Sequence, residues 1–278
     1  NLTIADSILV KDGVIQLVGS QSDVIKNADE SIEIVDLRGR MMMPSFHDAH
    51  AHPIWNGMDF LQCSVFDLLT INEIQDRIRA CLEEDHVKTS GWVIGAGLNA
   101  GLFPAANPNK SLFDEVSEDI PIYIEMSDGH NALVNTKALE LAGINRDTKD
   151  PFKGIIERNP ITGEPSGTLR EPSAMNLIAD VLPTETSELR LNGLIYAQNL
   201  ASSFGITSMI DAAVNEPYLI SFKDLAEKGE LNLRITACIE YGRQHYVQEF
   251  SGFEDVYKRR SEFEHPRINT NCVKIFID

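Results

Sequence analysis

The alternation of apolar and polar positions predicts short strands within residues 1–43. Two apolar runs, Ser7–Val10 and Val14–Val18, flank an Asp12-Gly13 pair, and Asp-Gly between such runs is a strong signal for a β-hairpin. Residues 31–37 alternate apolar and polar side chains, which is typical of a half-buried strand. Because three short strands make a poor domain by themselves, we expect them to join strands from elsewhere.

The middle of the chain combines a helix with several strands. Between Ile71 and Leu82 apolar residues recur at helical spacing, and Thr70 with Glu73 fits a capping box, so a helix is predicted there. Apolar runs bounded by turn residues predict strands at 92–97 and 120–125 and a long hairpin at 154–158 and 167–170.

Strands and helices alternate in the last third of the chain. The pattern predicts a helix at 187–204, a strand at 206–211, a helix at 218–228, a strand at 233–239, a mostly helical segment at 247–263 and a strand at 272–277. Gly205 is suited to end the first of these helices. Alternation at this spacing favours parallel βα units and an α/β fold.

Composition and charge exclude several classes of partner. The chain has 278 residues, 43% of them hydrophobic, and a net charge of −18, which would repel nucleic acid and anionic membrane surfaces. No apolar run approaches the roughly 18 residues that a membrane helix needs. No signal peptide opens the chain, which begins at Asn1 without a Met, and we therefore expect a trimmed sequence.

The four cysteines are scattered and form no CxxC pair. Cys238 and Cys272 lie in apolar strand-like runs, where a reduced cysteine behaves as a small hydrophobic residue. Nothing in their spacing indicates a disulfide framework, so we expect reduced thiols and a cytoplasmic protein.

The segment from Pro44 to His52 carries the first candidate chemistry. On a strand, side chains two residues apart point to the same face, so His50 and His52 would project together. Paired imidazoles suit a divalent metal such as zinc. On this pattern alone, two histidines on a solvated strand or loop remain the alternative.

Lys274 is the second candidate. It lies between Val273 and Ile275 in an apolar strand, and a buried lysine has to be neutralised, paired or modified. The alternative is a lysine at an edge or a strand end that extends its ammonium to water.

Several segments, taken in order, resemble the amidohydrolase superfamily and in particular its subgroup of N-substituted formamide deformylase-like proteins (amidohydrolase family 3). The matching segments run through the whole chain, at residues 44–52 (the Pro-Gly-Phe-x-Asp-x-His-x-His signature), 91–97, 127–135, 164–171, 205–211 and 273–278. Ser45 replaces the glycine of the signature and His47 replaces its apolar residue. Leu98-Asn99 stands where the subgroup often has Trp-Asp, which puts the substrate in doubt.

The resemblance implies a TIM-type (β/α)8 barrel of which only the first half is present, with part of a small β-sandwich domain and an insertion after strand one. The implied division is 1–43 for the sandwich, 44–58 for barrel strand one, 59–199 for an inserted lobe and 200–278 for barrel strands two to four. A barrel needs eight strands, so the remaining ones would lie beyond Asp278.

The resemblance also implies a metal-dependent enzyme. It places one or two divalent ions, zinc by preference, on His50, His52 and a carboxylated Lys274, and it places two further histidines and the catalytic aspartate beyond Asp278. The expected reaction is hydrolysis of a non-peptide C–N bond, amide or formamide-like, by a metal-activated water. The alternative is a non-catalytic binding or regulatory protein of the same fold.

His130 and Asn99 are the candidates for substrate binding. His130 follows Asp128-Gly129 on a predicted loop, and a surface or capping histidine is the competing interpretation. For Asp211, at the end of predicted strand two, a pocket role and a loop-capping role both stay open. The expected partner is a small amide substrate, without nucleic acid or membrane, in a protein that could form homo-oligomers.

Overall fold

The chain divides into two units that are compact by their internal contacts. The computed structural model describes residues 5–29, 31–241 and 252–275. The units are Asn1–Pro44 and Ser45–Asp278. The further division of the second unit near residues 58 and 199 stays a prediction.

The first unit contains the predicted hairpin. Strands β1 (Ser7–Lys11) and β2 (Val14–Gly19) pair antiparallel. Asp12 and Gly13 join them with φ angles of 53° and 74°, the left-handed conformation that two-residue hairpin turns require. Helix α1 (Gln21–Lys26) follows, and the Ser20 side chain caps its first turn.

The strand predicted at residues 31–37 is wrong. All of this stretch is described; it is irregular and forms no ladder with any described strand. Ile34 and Val35, which were expected to be half-buried, are exposed. The physical reason is that alternation predicts a face that can be buried, whereas a strand also needs a neighbour to satisfy its backbone groups.

The second unit has α/β character. Its helices are α2 (Pro53–Leu61), α3 (Ile71–Cys81), α4 (Asp85–Ser90), α5 (Ser111–Asp114), α6 (Thr136–Leu141), α7 (Glu171–Ala179), α8 (Ser187–Ser203), α9 (Glu216–Glu227) and α10 (Phe253–Lys258). Its strands are β3 (Phe46–Ala51), β4 (Val93–Leu98), β5 (Ile122–Met126), β6 (Asn131–Val134), β7 (Ile155–Arg158), β8 (Pro165–Arg170), β9 (Ile206–Val214), β10 (Arg234–Tyr241) and β11 (Ile268–Ile275). In the parts of the chain that the structure describes, no helix is long and apolar enough to cross a membrane.

Most predicted elements are confirmed, with ends that differ by a few residues. The capping box of Thr70 and Glu73 forms at the start of α3. The helix predicted at 247–263 is shorter: residues 242–251 lie outside the described ranges, and α10 is followed by a 3₁₀ turn at Arg260–Phe263. The last three residues, 276–278, also lie outside them.

One sheet of this unit is entirely parallel, with the strand order β3-β9-β10-β11. This is the order predicted from the sequence. Its main core lies between the sheet and the helices α8 and α9, and includes Met209, Ile235, Leu194 and Phe222. Closure of the four strands into part of a barrel stays a prediction.

The other sheet is mixed and is formed by the chain between β3 and β9. Its order is β4-β5-β6-β8-β7, with β4 and β5 parallel and the remaining neighbours antiparallel. Alternate residues of β5 enter different cores: Ile122 and Ile124 pack with α3 and α5, whereas Tyr123 packs with α6 and α7. The sheet is therefore covered on both faces, which fits its apolar strands.

Helices α2 and α8 meet at two glycines. A Cβ atom added to Gly57 would lie 2.1 Å from the backbone oxygen of Gly193, and one added to Gly193 would lie 2.8 Å from the nitrogen of Met58. Only glycine permits this approach, because backbone atoms cannot yield as a flexible side chain does. The contact fixes α2 immediately after His52.

The expectation of reduced cysteines is wrong. Disulfide bonds join Cys63 to Cys81 and Cys238 to Cys272, and no cysteine is free in the described ranges, which include all four. The cysteine spacing does not indicate this, because the pairing depends on tertiary contacts: Cys238 and Cys272 are register partners on neighbouring strands β10 and β11. Cysteine usage therefore no longer supports a cytoplasmic location, which stays a prediction.

Replacement of Gly57 by alanine should lower the free energy of unfolding by about 3 kcal/mol, since the added methyl group meets rigid backbone. Denaturant unfolding of Gly57→Ala measures this. The matched control is Asn56→Ala at the neighbouring exposed position of α2, which should change stability by less than about 0.5 kcal/mol. Equal stability of the two variants would mean that α2 and α8 separate without cost.

The Cys63–Cys81 bond should stabilise the fold by about 3 kcal/mol, as expected for a cross-link between residues 18 apart. In the variant Cys238→Ala/Cys272→Ala, reduction breaks this bond alone, so unfolding is compared in its oxidised and reduced forms. Thiol titration of the unreduced wild-type protein in denaturant should detect no free thiol. Four reactive thiols in that titration would contradict both bonds.

Candidate metal centre

The two histidines of the His-x-His segment lie together at the carboxyl end of β3. Their ring centroids are 5.3 Å apart, with the ring planes at 88°. His52 is the N-cap residue of α2, whose first residue is Pro53. Proline favours the first turn of a helix, so the sequence itself ends the strand and starts the helix at this point.

His50 is kept away from the helix-packed face of the sheet, whereas His52 lies just past the end of β3. Ala51, between them, packs against the core that includes α8 and α9. Because successive strand residues point to opposite faces, His50 points away from that core. His50 is exposed, and the side chain of His52 is 24% exposed. His50 is thus open to a ligand on the face opposite the helices, and His52 is partly open at the end of the strand.

Asp211 is brought against His52 by the pairing of β9 with β3. Asp211 is the register partner of Ala51. Its side chain is only 1% exposed, and one carboxylate oxygen lies 3.4 Å from Nδ1 of His52. The same oxygen accepts a hydrogen bond from the Ala213 N–H at 3.3 Å. The carboxylate therefore contacts both the His52 ring and the backbone two residues further along β9, so it combines a position beside the histidines with a local cap.

Burial sets the electrostatics of Asp211. Desolvation raises the pKa of its carboxyl above the ordinary value, and the His52 imidazole and the Ala213 N–H oppose that shift only in part. Nδ1 of His52 and Oδ2 of Asp211 are both buried and have no hydrogen-bond partner among the described residues. Such unsatisfied groups are uncommon and call for an explanation.

Trp55 supports His52 from the first turn of α2. The two ring centroids are 5.6 Å apart, with the planes at 55°. Trp55 also packs against the core beneath the parallel sheet. The His52 ring is therefore held between a core-anchored indole and the Asp211 carboxylate.

Lys274 occupies the same face of the parallel sheet as His50, on the edge strand β11. Ile235, Ala237 and Ile239 of β10 pack into the helix-side core, so Glu240, which follows Ile239, points to the other face. Its register partner is Lys274. Lys274 is half-buried. Its strand neighbours Val273 and Ile275 are 38% and 57% exposed, so this part of the strand is less buried than its apolar sequence predicts.

Strands β9 and β10 separate Lys274 from the histidines. Three strand spacings amount to roughly 14 Å along a flat sheet, so only curvature could bring Lys274 to the same ion. Within the described ranges, no three His, Cys, Asp or Glu side chains form a group that could hold a metal by themselves. The roles of His50, His52 and Lys274 as ligands stay predictions.

His130 and Asn99 lie at one edge of the mixed sheet. Leu98 and Met126 end the parallel strands β4 and β5 in register, so Asn99 and the turn that contains His130 follow at the same edge. The Asn99 side-chain oxygen accepts a hydrogen bond from the Gly101 N–H. Nδ1 of His130, which is exposed, lies 3.3 Å from a Glu171 carboxylate oxygen. These two contacts carry no information about whether Asn99 and His130 bind a substrate, and that role stays a prediction.

The two departures from the signature have a structural role. Ser45 hydrogen-bonds Thr207, and Nδ1 of His47 hydrogen-bonds the Ser208 hydroxyl at 2.7 Å. Both bonds join the start of β3 to β9. The replacements therefore fix the pairing that places Asp211 beside His52.

Comparison with known proteins identifies relatives along the whole chain. An N-substituted formamide deformylase from Arthrobacter pascens is 28% identical over 283 residues, which cover 99% of this chain and 51% of the relative. Protein LONG AFTER FAR-RED 3 from Arabidopsis thaliana is 30% identical over 211 residues, covering 76% of this chain and 36% of that protein. The chain thus spans about half or less of the length of these curated relatives.

A solved structure shares the fold. An uncharacterized metal-dependent hydrolase from Pyrococcus horikoshii OT3 matches with a TM-score of 0.65 at 22% identity, over 96% of this chain and 49% of that one. A family model described as the Amidohydrolase family matches residues 33–278, which include every candidate residue discussed above. By this match the chain belongs to the amidohydrolase family.

Proposed function

We propose that this chain carries the first half of the metal site of a hydrolase that cleaves a non-peptide C–N bond, amide or formamide-like. The observation that carries the proposal is the pair of imidazoles, 5.3 Å apart at the carboxyl end of a strand, in a member of the amidohydrolase family. The related hydrolase of known structure is metal-dependent by its description.

The residues present fit a divalent ion. Two imidazoles that share a tetrahedral zinc at about 2.0–2.1 Å from each nitrogen have ring centroids roughly 5 Å apart. The observed separation is 5.3 Å. Nδ1 of His52 and Oδ2 of Asp211 are buried without a hydrogen bond among the described residues, so the site contains polar groups that these residues alone leave unsatisfied. Nitrogen ligands with a nearby carboxylate suit zinc.

The chain's own residues would bind and orient. A bound divalent ion lowers the pKa of water toward ~7 and polarises the substrate carbonyl. His50 and His52 would hold that ion, and Trp55 keeps the His52 ring from turning away. The carboxylate that moves the proton from water to the leaving nitrogen would come from a part of the protein beyond this chain.

Lys274 would contribute as a carbamate. Its neutral amine adds to carbon dioxide, a C–N bond forms and one proton is released, so the lysine becomes a carboxylate in effect. The carbamate would lengthen the side chain on the face of the sheet that also carries His50. Curvature of β3, β9, β10 and β11 into a barrel wall would shorten the remaining distance, and we propose the (β/α)8 arrangement with its inserted lobe at 59–199 for that reason.

The proposed substrate class rests on the relative described as an N-substituted formamide deformylase. That relative matches 99% of this chain, so an N-substituted formamide or a related small amide is the substrate we propose. His130 and Asn99, at the carboxyl edge of β4 and β5, would contact it. Their edge is solvent-exposed and polar, which suits recognition of an amide.

The proposed site predicts a graded loss of metal and activity. In the full-length protein, His50→Ala and His52→Ala should each lower bound zinc and the hydrolysis of an N-formyl amine at least tenfold, since each removes a ligand. Lys274→Ala should do the same if the carbamate forms. Metal analysis after dialysis and a steady-state assay measure both quantities.

The matched control is Lys223→Ala, which removes a partly exposed lysine on α9 that donates to the Glu262 carbonyl oxygen. It should leave metal content and activity unchanged. Undiminished metal and activity in Lys274→Ala would show that Lys274 is only structural. The same result in both histidine variants would overturn the proposed function and favour a non-catalytic binding protein.

His130→Ala should raise KM for the amide about tenfold and leave bound metal unchanged, because a lost polar contact to substrate costs about 1.4 kcal/mol. His265→Ala, before the amino end of β11, is the matched control and should leave KM unchanged. An unchanged KM in His130→Ala would return His130 to the role of a surface partner of Glu171.

A further inference from the structure

Asp211 is a buried carboxylate in the middle of a sheet, where isolated charges are costly. Its strand neighbours in register are Ala51 and Ala237, which offer it no polar side chain. With only 1% of its side chain exposed, this carboxylate is almost completely removed from water. Buried charged groups are retained when they pair or when they take part in a metal site.

Its geometry points at a single imidazole nitrogen. Oδ1 of Asp211 lies 3.4 Å from Nδ1 of His52, and that nitrogen has no hydrogen-bond partner in the part of the chain that the structure describes. The separation is slightly longer than a hydrogen bond, and such contacts are often loose before a ligand binds. An acceptor and a potential donor, both buried, therefore face each other.

We infer that Asp211 is a positioning residue that holds His52 in the tautomer with the proton on Nδ1, so that Nε2 is the nitrogen presented to a metal. This inference rests on the proposed function. The physical reason is that an imidazole has one acceptor nitrogen when neutral, and the hydrogen bond at the other nitrogen decides which one it is. Carboxylates commonly perform this task behind metal-bound histidines.

Two other features of the site support this assignment. Trp55 packs on the His52 ring, which limits rotation about its side-chain torsions and keeps Nδ1 toward β9. The hydrogen bonds of Ser45 and His47 to β9 fix the strand that carries Asp211. The carboxylate and the ring are thus held by different parts of the structure, so their approach does not depend on a single loop.

The test separates positioning from stability by using two replacements of Asp211. Asp211→Leu removes the acceptor at similar size, and burial of an apolar residue in place of a charge is often tolerated. Asp211→Asn keeps an oxygen acceptor but loses the charge. Long-range 1H–15N spectra of the imidazoles in the metal-free full-length protein report the tautomer of His52, and zinc titration reports affinity.

We expect the Nδ1–H tautomer of His52 in the wild-type protein and in Asp211→Asn, and loss of that preference in Asp211→Leu. Zinc affinity should fall about 100-fold in Asp211→Leu and about tenfold in Asp211→Asn, the usual range for such residues. Glu216→Gln is the matched control: it neutralises a carboxylate that follows β9 and pairs with Arg259, and should change neither readout.

The outcomes distinguish this inference from the proposed function. A wild-type protein that binds no zinc would overturn both. Zinc binding by the wild type, with an unchanged tautomer and affinity in folded Asp211→Leu, would overturn the positioning role alone. If Asp211→Leu fails to fold, an Asp211→Asn variant with wild-type zinc affinity has the same consequence. In the cobalt-substituted wild-type protein, spectra could also show a carboxylate bound to the metal. If Asp211→Asn removes that signal, Asp211 ligates the metal directly, and the positioning role is overturned.

Discussion

The pairing of β3 with β9 is the contact on which the candidate site depends. It joins strands separated by most of the chain and aligns Ala51 with Asp211, so a histidine and a carboxylate 159 positions apart (211 minus 52) come within 3.4 Å. Parallel strands always need a crossover, but this one contains a complete second sheet. The polar bonds from Ser45 and His47 to β9 show how local chemistry secures such a distant pairing.

The long connection is tolerable because it forms its own cores. Loop-closure entropy grows slowly with length, and the connecting residues recover their cost by packing both faces of the mixed sheet. The connection is also anchored at its start: Gly95 of β4 lies too close to the Cys63 backbone for any larger residue, and Cys63 is bonded to Cys81. The segment that leaves the parallel sheet after α2 is therefore held from its first residues.

Rigidity near the histidines comes from backbone packing more than from surface charge. The exposed ion pairs of this acidic chain each contribute little in water. In contrast, the glycine contact between α2 and α8 and the indole of Trp55 hold the first turn after His52 at van der Waals distance.

The sequence by itself determined the local elements and the family. The hairpin at Asp12-Gly13, the capping box at Thr70, and the alternation of strands and helices after Ser187 follow from short-range backbone chemistry, and the order of motifs identified the amidohydrolase family. The two-residue period of a strand predicted that His50 and His52 project together, and their ring centroids lie 5.3 Å apart.

Only the tertiary structure decided what those elements touch. Residues 31–37 have the pattern of a strand but no neighbour among the described residues, and pattern carries no information about a neighbour. The two disulfide bonds and the approach of Asp211 to His52 join positions whose distance in sequence says nothing about distance in space. Asp211 offered one local signal, an acidic residue near the end of a predicted strand, and the register of β9 against β3 turned that signal into a contact.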